Sequence, residues 1–404
     1  MWDDTFITIS IILLFLLLFP LGYLFVLALG ATRSASRPDA RNRTPSTRFM
    51  IVIPAHDEAS VIKATVIRLL AVEYPINLFS IHIIADHCSD TTAEVARQAG
   101  AVVHERNEGP RTGKGAALSW LFQRILKKEH CDAVVIFDAD TRVDPEFLSV
   151  MNWRLSQGDQ VVQGQHIIRN PGQGWFPALT WAMFLIDNRF QNLGRSNLGW
   201  SAKNMGDSIC FRVNVLLQLG WGEGLTEDYH LRHKLLLNGI RIAYEPAAIG
   251  YGEAPLTWSQ AQAQRARWLR GTHDTSRQYL KPLLIEGIHR RNVAMLDGAI
   301  QAILPSYSTL SLLALILVAI QLAVNYLVQP IFPGILLSVW GIMIVTLLIY
   351  PLIGLALERA PVRAYIAIFL GPYFILWRTW LALVSRFGRK QVTWIRTKHG
   401  ELDR

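Results

Sequence analysis

Apolar positions along this chain fall into distinct patterns, and each predicts a different element. Residues 6–29 are almost wholly apolar. At about 1.5 Å per residue such a run crosses the roughly 30 Å hydrocarbon layer of a bilayer, which predicts a spanning helix. Two more long runs, 303–328 and 331–357, meet at Gln329 and Pro330 with no charge between them and predict a helical hairpin. A fourth run, 364–384, is interrupted by Trp377, Arg378, Thr379 and Trp380. Basic residues flank it on both sides, so a full crossing would violate the bias of Arg and Lys toward one face of the membrane. An interfacial or re-entrant segment is expected there.

Between these runs, from Arg48 to about Gly252, short β-rich stretches alternate with amphipathic helical ones. That alternation predicts α/β organisation. Strands are expected at 49–53, 81–85, 101–104, 133–137 and 160–165. Helices are expected at 59–71, at 91–98 behind the capping pair Ser89 and Asp90, and at 114–128. Gly100 and Gly239 stand where helix C-caps would end their helices. The chain shows neither an internal repeat nor a low-complexity tract.

Composition sharpens the membrane reading. Of 404 residues 51% are hydrophobic, too many for a purely soluble enzyme of this length. The net charge of +9 would suit nucleic acid or a phospholipid surface, and its placement decides. Arg33, Arg37, Arg41, Arg43 and Arg48 follow the first apolar run, and Arg386, Arg389, Lys390, Arg396 and Lys398 follow the last. Charge beside apolar runs points to a membrane and not to nucleic acid. With Asp3 and Asp4 before the first run, the positive-inside rule puts residues 33 onward in the cytoplasm. The run is too long for a signal-peptide core and has no cleavage pattern, so an uncleaved anchor is expected. Cys88, Cys131 and Cys210 are odd in number and widely spaced, which argues against a disulfide framework or a structural zinc site and fits a reducing compartment.

In an open, mostly parallel sheet, ligands bind beyond the carboxyl ends of the strands. Here strand after strand runs into acids: Pro54-Ala55-His56-Asp57-Glu58, then Asp86-His87-Cys88-Ser89-Asp90, then Asp138-Ala139-Asp140. Any one acid could be a helix cap or a solvated loop residue. Asp138 and Asp140, after an apolar strand, offer oxygen ligands of the kind that suit Mg²⁺ or Mn²⁺ together with a nucleotide diphosphate. Upstream, Arg111-Thr112-Gly113-Lys114-Gly115 precedes a helix, where glycines allow a phosphate close to the backbone and Lys114 adds a point charge. The alternative is an ordinary loop with a solvated lysine. Thr226-Glu227-Asp228 opens the expected helix 229–237. The helix dipole there favours ionised carboxylates, and Asp228 is the candidate base for an attacking hydroxyl. In Gln264-Arg265-Ala266-Arg267-Trp268, helical spacing puts Gln264, Arg267 and Trp268 on one face. Arg267 would pair with a diphosphate and Trp268 would offer a flat surface to a sugar. An amphipathic interfacial helix with snorkelling arginines explains the same pattern.

These motifs, in this order, resemble the membrane-bound inverting family-2 glycosyltransferases, the group of cellulose, chitin and hyaluronan synthases and ceramide glucosyltransferases. The marks are PAHDE at 54–58, ADHCSDTTAEVAR at 85–97, RTGKG at 111–115, DAD at 138–140, TED at 226–228 and QRARW at 264–268. The resemblance implies an A-type nucleotide-diphospho-sugar transferase domain with a Rossmann-like mixed sheet, plus transmembrane and interfacial helices. It places Asp57 and Asp86 near the nucleoside, Lys114 near the diphosphate, Asp138 toward ribose and diphosphate, and the metal, Mn²⁺ or Mg²⁺, on Asp140. Asp228 would be the base, and Gln264, Arg267 and Trp268 would line the diphosphate and acceptor. Gly206-Asp207-Ser208 resembles the acceptor-side loop, with Asp207 facing the acceptor, although related sequences more often carry Asn-Gly there. The donor would be a UDP-sugar, an inverted α-linked donor would give a β-linkage, and the acceptor would be a saccharide or a lipid.

The implied organisation is a transmembrane anchor at 1–32, a cytoplasmic transferase domain at 45–254, interfacial helices at 255–302, a transmembrane hairpin plus interfacial or re-entrant segment at 303–385, and a basic cytoplasmic tail at 386–404. The protein would be multi-pass in the plasma or inner membrane. With three expected crossings, export of a polymer would need a partner or a second copy. A transporter with a regulatory nucleotide domain is disfavoured, because the expected hairpin is almost free of ionisable residues.

Overall fold

The computed structural model describes residues 2–34 and 44–387. The basic residues Arg37, Arg41 and Arg43, and those from Arg389 onward, on which the orientation reading largely rests, lie outside the described residues.

Eight strands form one mixed sheet: β1 (Phe49–Ala55), β2 (Phe79–Asp86), β3 (Val102–Arg106), β4 (Ala133–Ile136), β5 (Arg142–Val143), β6 (Val161–Ile168), β7 (Ile209–Arg212) and β8 (Ile242–Gly252). Their spatial order is β3-β2-β1-β4-β7-β6-β8-β5. The first half is parallel, β1 pairing with β2 and β4, and β2 with β3. β7 enters antiparallel between β4 and β6, and β6 then pairs in parallel with β8. Helices cover both faces of the parallel half, so its central strands are buried throughout. Phe49, Ile51 and Ile53 belong to one core, and Met50 and Val52 to the core on the opposite face.

The expected strands are all present, with ends shifted by up to three residues. The helix expected from residue 59 begins at Ile62, because residues 58–61 make a turn. Its Glu58 carbonyl accepts from both Val61 and Ile62, and the Ala59 N–H is tied to Asp90 Oδ2 at 3.2 Å. The helix after Asp90 is Thr92–Gln98, and the one after Gly113 is Lys114–Ile125. Gly100 and Gly239 follow their helices with φ of +102° and +75°, as a C-cap requires.

Among the described residues, three helices are long and apolar enough to cross a membrane: Asp4–Ala31, Tyr307–Val328 and Gly334–Leu357. A buried polar contact joins them, since Trp340 Nε1 donates to Ser10 Oγ at 3.1 Å and Ser10 Oγ donates to Gln321 Oε1 at 2.8 Å. Such bonds hold helices together where lipid supplies no hydrophobic drive. Residues 362–381 form two short helices bent by 49°, a broken span or a re-entrant loop. The break falls at Phe369 and Leu370, and Pro372, which cannot donate a helical bond, stands in the first turn of the second helix.

A second buried network fastens the first membrane helix to the sheet domain. Asp297 Oδ1 accepts from the Tyr23 hydroxyl at 2.7 Å, and its Oδ2 lies 3.0 Å from Arg195 Nε and 3.5 Å from Arg232 Nη2. The side chains of both arginines and of Asp297 are fully buried. Arg232 lies one turn beyond Asp228 on the helix Glu227–Leu237, so anchor and candidate base share one rigid support.

Candidate active site

β1 and β2 end side by side, and their acids occupy different environments. Asp57 sits at φ +56°, a conformation that costs a non-glycine residue free energy. Its carboxylate accepts from the Ser89 N–H at 2.6 Å and the Asp90 N–H at 3.3 Å. Partial burial opposes ionisation, but these bonds from Ser89 and the neighbouring His56 outweigh it and hold the pKa below the usual carboxylate range. Asp86 is buried instead. Its Oδ1 pairs with Arg106 and with His87 Nδ1, the latter at 2.9 Å. Nothing in the motif around Asp86 foretold Arg106, which arrives from the end of β3.

At the end of β4, Asp138 takes an ion pair from Lys114, the first residue of its helix, and Lys114 Nζ also reaches the Gly206 carbonyl at 2.5 Å. Burial works against the lysine's charge, yet Asp138 and Asp207 raise its pKa above the ordinary value. Lys114 is therefore a held cation, not a solvated loop side chain.

Asp207 has a different place from the one expected of an acceptor-facing residue. It is 3% exposed, and its carboxylate is fully engaged inside the protein. Oδ1 accepts from the Asp138 N–H at 2.9 Å and the Thr141 hydroxyl at 3.0 Å, and Oδ2 from His166 Nδ1 at 2.7 Å and Ser208 Oγ at 3.0 Å. Burial opposes ionisation, but His166 and Lys114 bring the pKa down to about 2. Asp207 thus braces the Asp138-Ala139-Asp140 turn from beneath. His166 was missed by the motif reading, being a lone histidine inside a strand. Burial disfavours its proton, but the bond to Asp207 and the field of Asp207, Asp138 and Asp140 raise its pKa.

Asp138 and Asp140 are half-buried and offer oxygen donors only, which suits Mg²⁺ or Mn²⁺ better than zinc. Among the described residues they join no third His, Cys, Asp or Glu in a closed ligand group. Coordination positions therefore remain for phosphate oxygens and water, as these cations keep them. The residues present fit such an ion.

The opposite wall comes from the helix Glu227–Leu237 and the helix Trp258–His289. A cavity of about 250 Å³ is lined by Gly113, Lys114, Gly115, Glu227 and Arg267, among others. Gly115 is required by contact: a Cβ there would stand 2.8 Å from Glu227 Cγ. Arg267 is held by the Leu225 carbonyl at 3.1 Å. The dipole argument had set these acids as readily ionised. Burial reverses that, raising Glu227 to about 7 with help from Asp228, and raising Asp228 as well. Asp228 Oδ2 would lie 3.4 Å from a Cβ on Gly206, so the candidate base faces the loop that also binds Lys114. Of the Gln264, Arg267 and Trp268 set, Arg267 alone lines this cavity. Trp268 is covered on one side by Arg265, whose guanidinium carbon lies 5.0 Å from its ring centroid. The structure thus gathers Lys114, Asp138, Glu227, Asp228 and Arg267, places Asp57 and Asp86 at the neighbouring strand ends, and leaves Gln264 and Trp268 outside the cavity wall.

Comparison with known proteins agrees with this architecture. The mannosyltransferase PcManGT from Pyrobaculum calidifontis, solved in complex with GDP-Man and Mn²⁺, superposes with a TM-score of 0.61. That match covers 96% of this chain and 100% of the other at 15% identity, and it establishes the GT-A fold. The probable glycosyltransferase YdaM of Bacillus subtilis is 25% identical over 241 residues, 55% of each chain. The poly-beta-1,6-N-acetyl-D-glucosamine synthase of Staphylococcus aureus is 28% identical over 236 residues, 55% of this chain and 54% of that one. The chain spans about half the length of these curated relatives. Residues 45–271, more than half of the chain, match the family described as glycosyltransferase like family 2, and the chain belongs to that family of glycosyltransferases.

Proposed function

We propose that this enzyme is an inverting transferase that moves a sugar from a UDP-sugar to a polysaccharide acceptor at the cytoplasmic face of the plasma or inner membrane, forming a β-linkage. The observation that carries the reading is a cavity at the carboxyl end of the sheet lined by Lys114, Glu227 and Arg267, with Asp138 paired to Lys114 and Asp228 next to Glu227 in the field of Arg267 and Lys114. Two cations and a carboxylate pair suit a diphosphate with a proton acceptor beside it. The kinship with a poly-N-acetylglucosamine synthase supports a polymer product and makes UDP-N-acetylglucosamine the first donor to try.

In this mechanism the donor nucleoside lies toward Asp57 and Asp86, and Lys114 and Arg267 meet its diphosphate. Asp228 takes the proton of the acceptor hydroxyl as that oxygen attacks the anomeric carbon opposite the leaving group. Its raised pKa makes it a stronger base than a solvated aspartate. Gln264 and Trp268 continue the path toward the acceptor. When bound at Asp138 and Asp140, Mg²⁺ or Mn²⁺ supplies charge neutralisation for the departing diphosphate.

Transfer to a membrane lipid is a second reading, favoured by the three candidate spans, since a polymer channel would need further helices from a partner or a second copy. One experiment separates the two. Purified protein in detergent is offered UDP- and GDP-sugars with Mg²⁺ or Mn²⁺, and both released nucleotide and product size are measured. Release with one UDP-sugar and a long product is expected; a single-addition lipid product would support the second reading. Asp228→Asn should lose turnover by at least about a hundredfold while keeping UDP affinity. Transfer retained in that variant would remove Asp228 from its role.

A further inference from the structure

Just past the ends of β1 and β2, three side chains of metal-binding type surround one point. His56 Nδ1 lies 2.7 Å from the main-chain oxygen of Asp86. A carbonyl oxygen can only accept, so Nδ1 carries the proton of that bond. The other ring nitrogen, Nε2, faces Asp57, whose Oδ2 is 3.5 Å away. In a neutral ring these would be two electron-pair donors turned toward each other. A positive centre between them removes the conflict, either a second proton on the ring or a metal ion.

Cys88 argues for the metal. One ligand atom each from His56, Asp57 and Cys88 lie within 4.8 Å of one another, and no other such trio occurs among the described residues. We infer that His56, Asp57 and Cys88 form a binding site for a zinc-class divalent ion, distinct from the oxygen-only pair Asp138 and Asp140.

The chemistry of the set fits. Imidazole, thiolate and carboxylate are the ligand types zinc takes, and one carboxylate plus one thiolate balance a divalent charge. Bond lengths of about 2.0 Å to nitrogen and 2.3 Å to sulfur put tetrahedral ligands roughly 3.5 Å apart, so closing the trio takes side-chain shifts on the order of 1 Å. The outer supports are in place. The Asp86 carbonyl fixes the His56 ring, and the Ser89 N–H at 2.6 Å holds Asp57. On binding, the Cys88 thiol gives up its contact with the Ala55 carbonyl and releases its proton to solvent, while the sulfur bonds to the ion. The fourth position is left to water.

The consequence rests on the proposed function, in which Asp57 serves the donor nucleoside. An ion held by Asp57 would compete with the donor, so zinc would inhibit the enzyme while Mg²⁺ or Mn²⁺ supports it. The test uses the full chain in detergent, stripped of metal and titrated with Co²⁺ as a spectroscopic probe. A thiolate-to-cobalt charge-transfer band saturating at one ion per chain is expected. Cys88→Ser, shown folded by circular dichroism, should lose the band, whereas Cys131→Ser and Asp140→Asn should keep it. A second arm measures donor KM with and without Zn²⁺, and expects at least a tenfold rise in the parent and less than twofold in Cys88→Ser. A missing band, or one that survives in Cys88→Ser, overturns the site and leaves the transferase reading intact. A Cys88-dependent band in protein that turns over no donor faults the proposed function and leaves the site standing.

Discussion

Glu227 offers a stringent check on the electrostatics of the cavity. It is 8% exposed, shares its helix start with Asp228, and titrates at about 7 in place of 4.5. Burial is the main cause and the Asp228 charge adds to it, while Lys114 and Arg267 oppose both without cancelling them. The folded state therefore holds this proton more tightly than the unfolded chain. Below the unfolded pKa both states carry it, and no stability difference arises. As pH rises from 4.5 through about 7 the folded state must give up a proton it binds well, and stability falls. At about 1.4 kcal/mol per pKa unit the loss is roughly 3 kcal/mol by pH 8.

Glu227→Gln removes the titration while keeping the shape that fills the space beside Gly115. The variant should match the parent near pH 4.5 and become more stable by up to roughly 3 kcal/mol by pH 8. Unfolding in detergent, followed by tryptophan fluorescence across this range, reads the difference directly. A gap that stays constant with pH, or a variant less stable at pH 8 than its parent, would refute the reasoning. The accompanying cost is expected in function, because Glu227 lines the cavity.

The same structure carries other predictions. Asp297→Ala leaves Arg195 and Arg232 buried without their carboxylate and should cost about 3–5 kcal/mol, read as a large fall in unfolding temperature; a change within about 1 °C would exclude the network as a structural tie. Gly222→Ala would set a Cβ 1.8 Å from the Glu227 carbonyl oxygen, so the start of the helix Glu227–Leu237 must move, and under the proposed function UDP binding should fall at least tenfold; Gly172→Ala, with nothing within 4 Å, is the neutral control. Chelation of divalent metal should abolish sugar transfer, with activity restored by Mn²⁺ or Mg²⁺ in the parent and only at much higher metal concentration in Asp140→Asn.

What could be read from the sequence follows from which contacts are local. β1, β2 and β4 are short apolar runs buried on both faces, so their composition alone marks them, and the acids after them mark the side on which ligands bind. In the antiparallel half only β6 gave such a signal. β7 has four residues and exists because β4 and β6 flank it, while β8 contains Pro246 and pairs with β6 through a register shift after Gly164. Missing β7 had a direct consequence for the site. Asp207 lies two residues before that strand, and only its antiparallel insertion carries the carboxylate beneath the end of β4, where Asp138, Thr141 and His166 enclose it. A motif comparison sees an acid in an acceptor loop; the sheet makes it a buried brace. The pKa of Asp228 shows the same limit. The helix start is visible in the sequence and argues for easy ionisation, but burial under the helix Trp258–His289 and beside Gly206 is not, and burial wins. Sequence thus names the groups that can do the chemistry, and the long-range packing decides which are exposed to a substrate, which are locked in ion pairs, and how tightly each holds its proton.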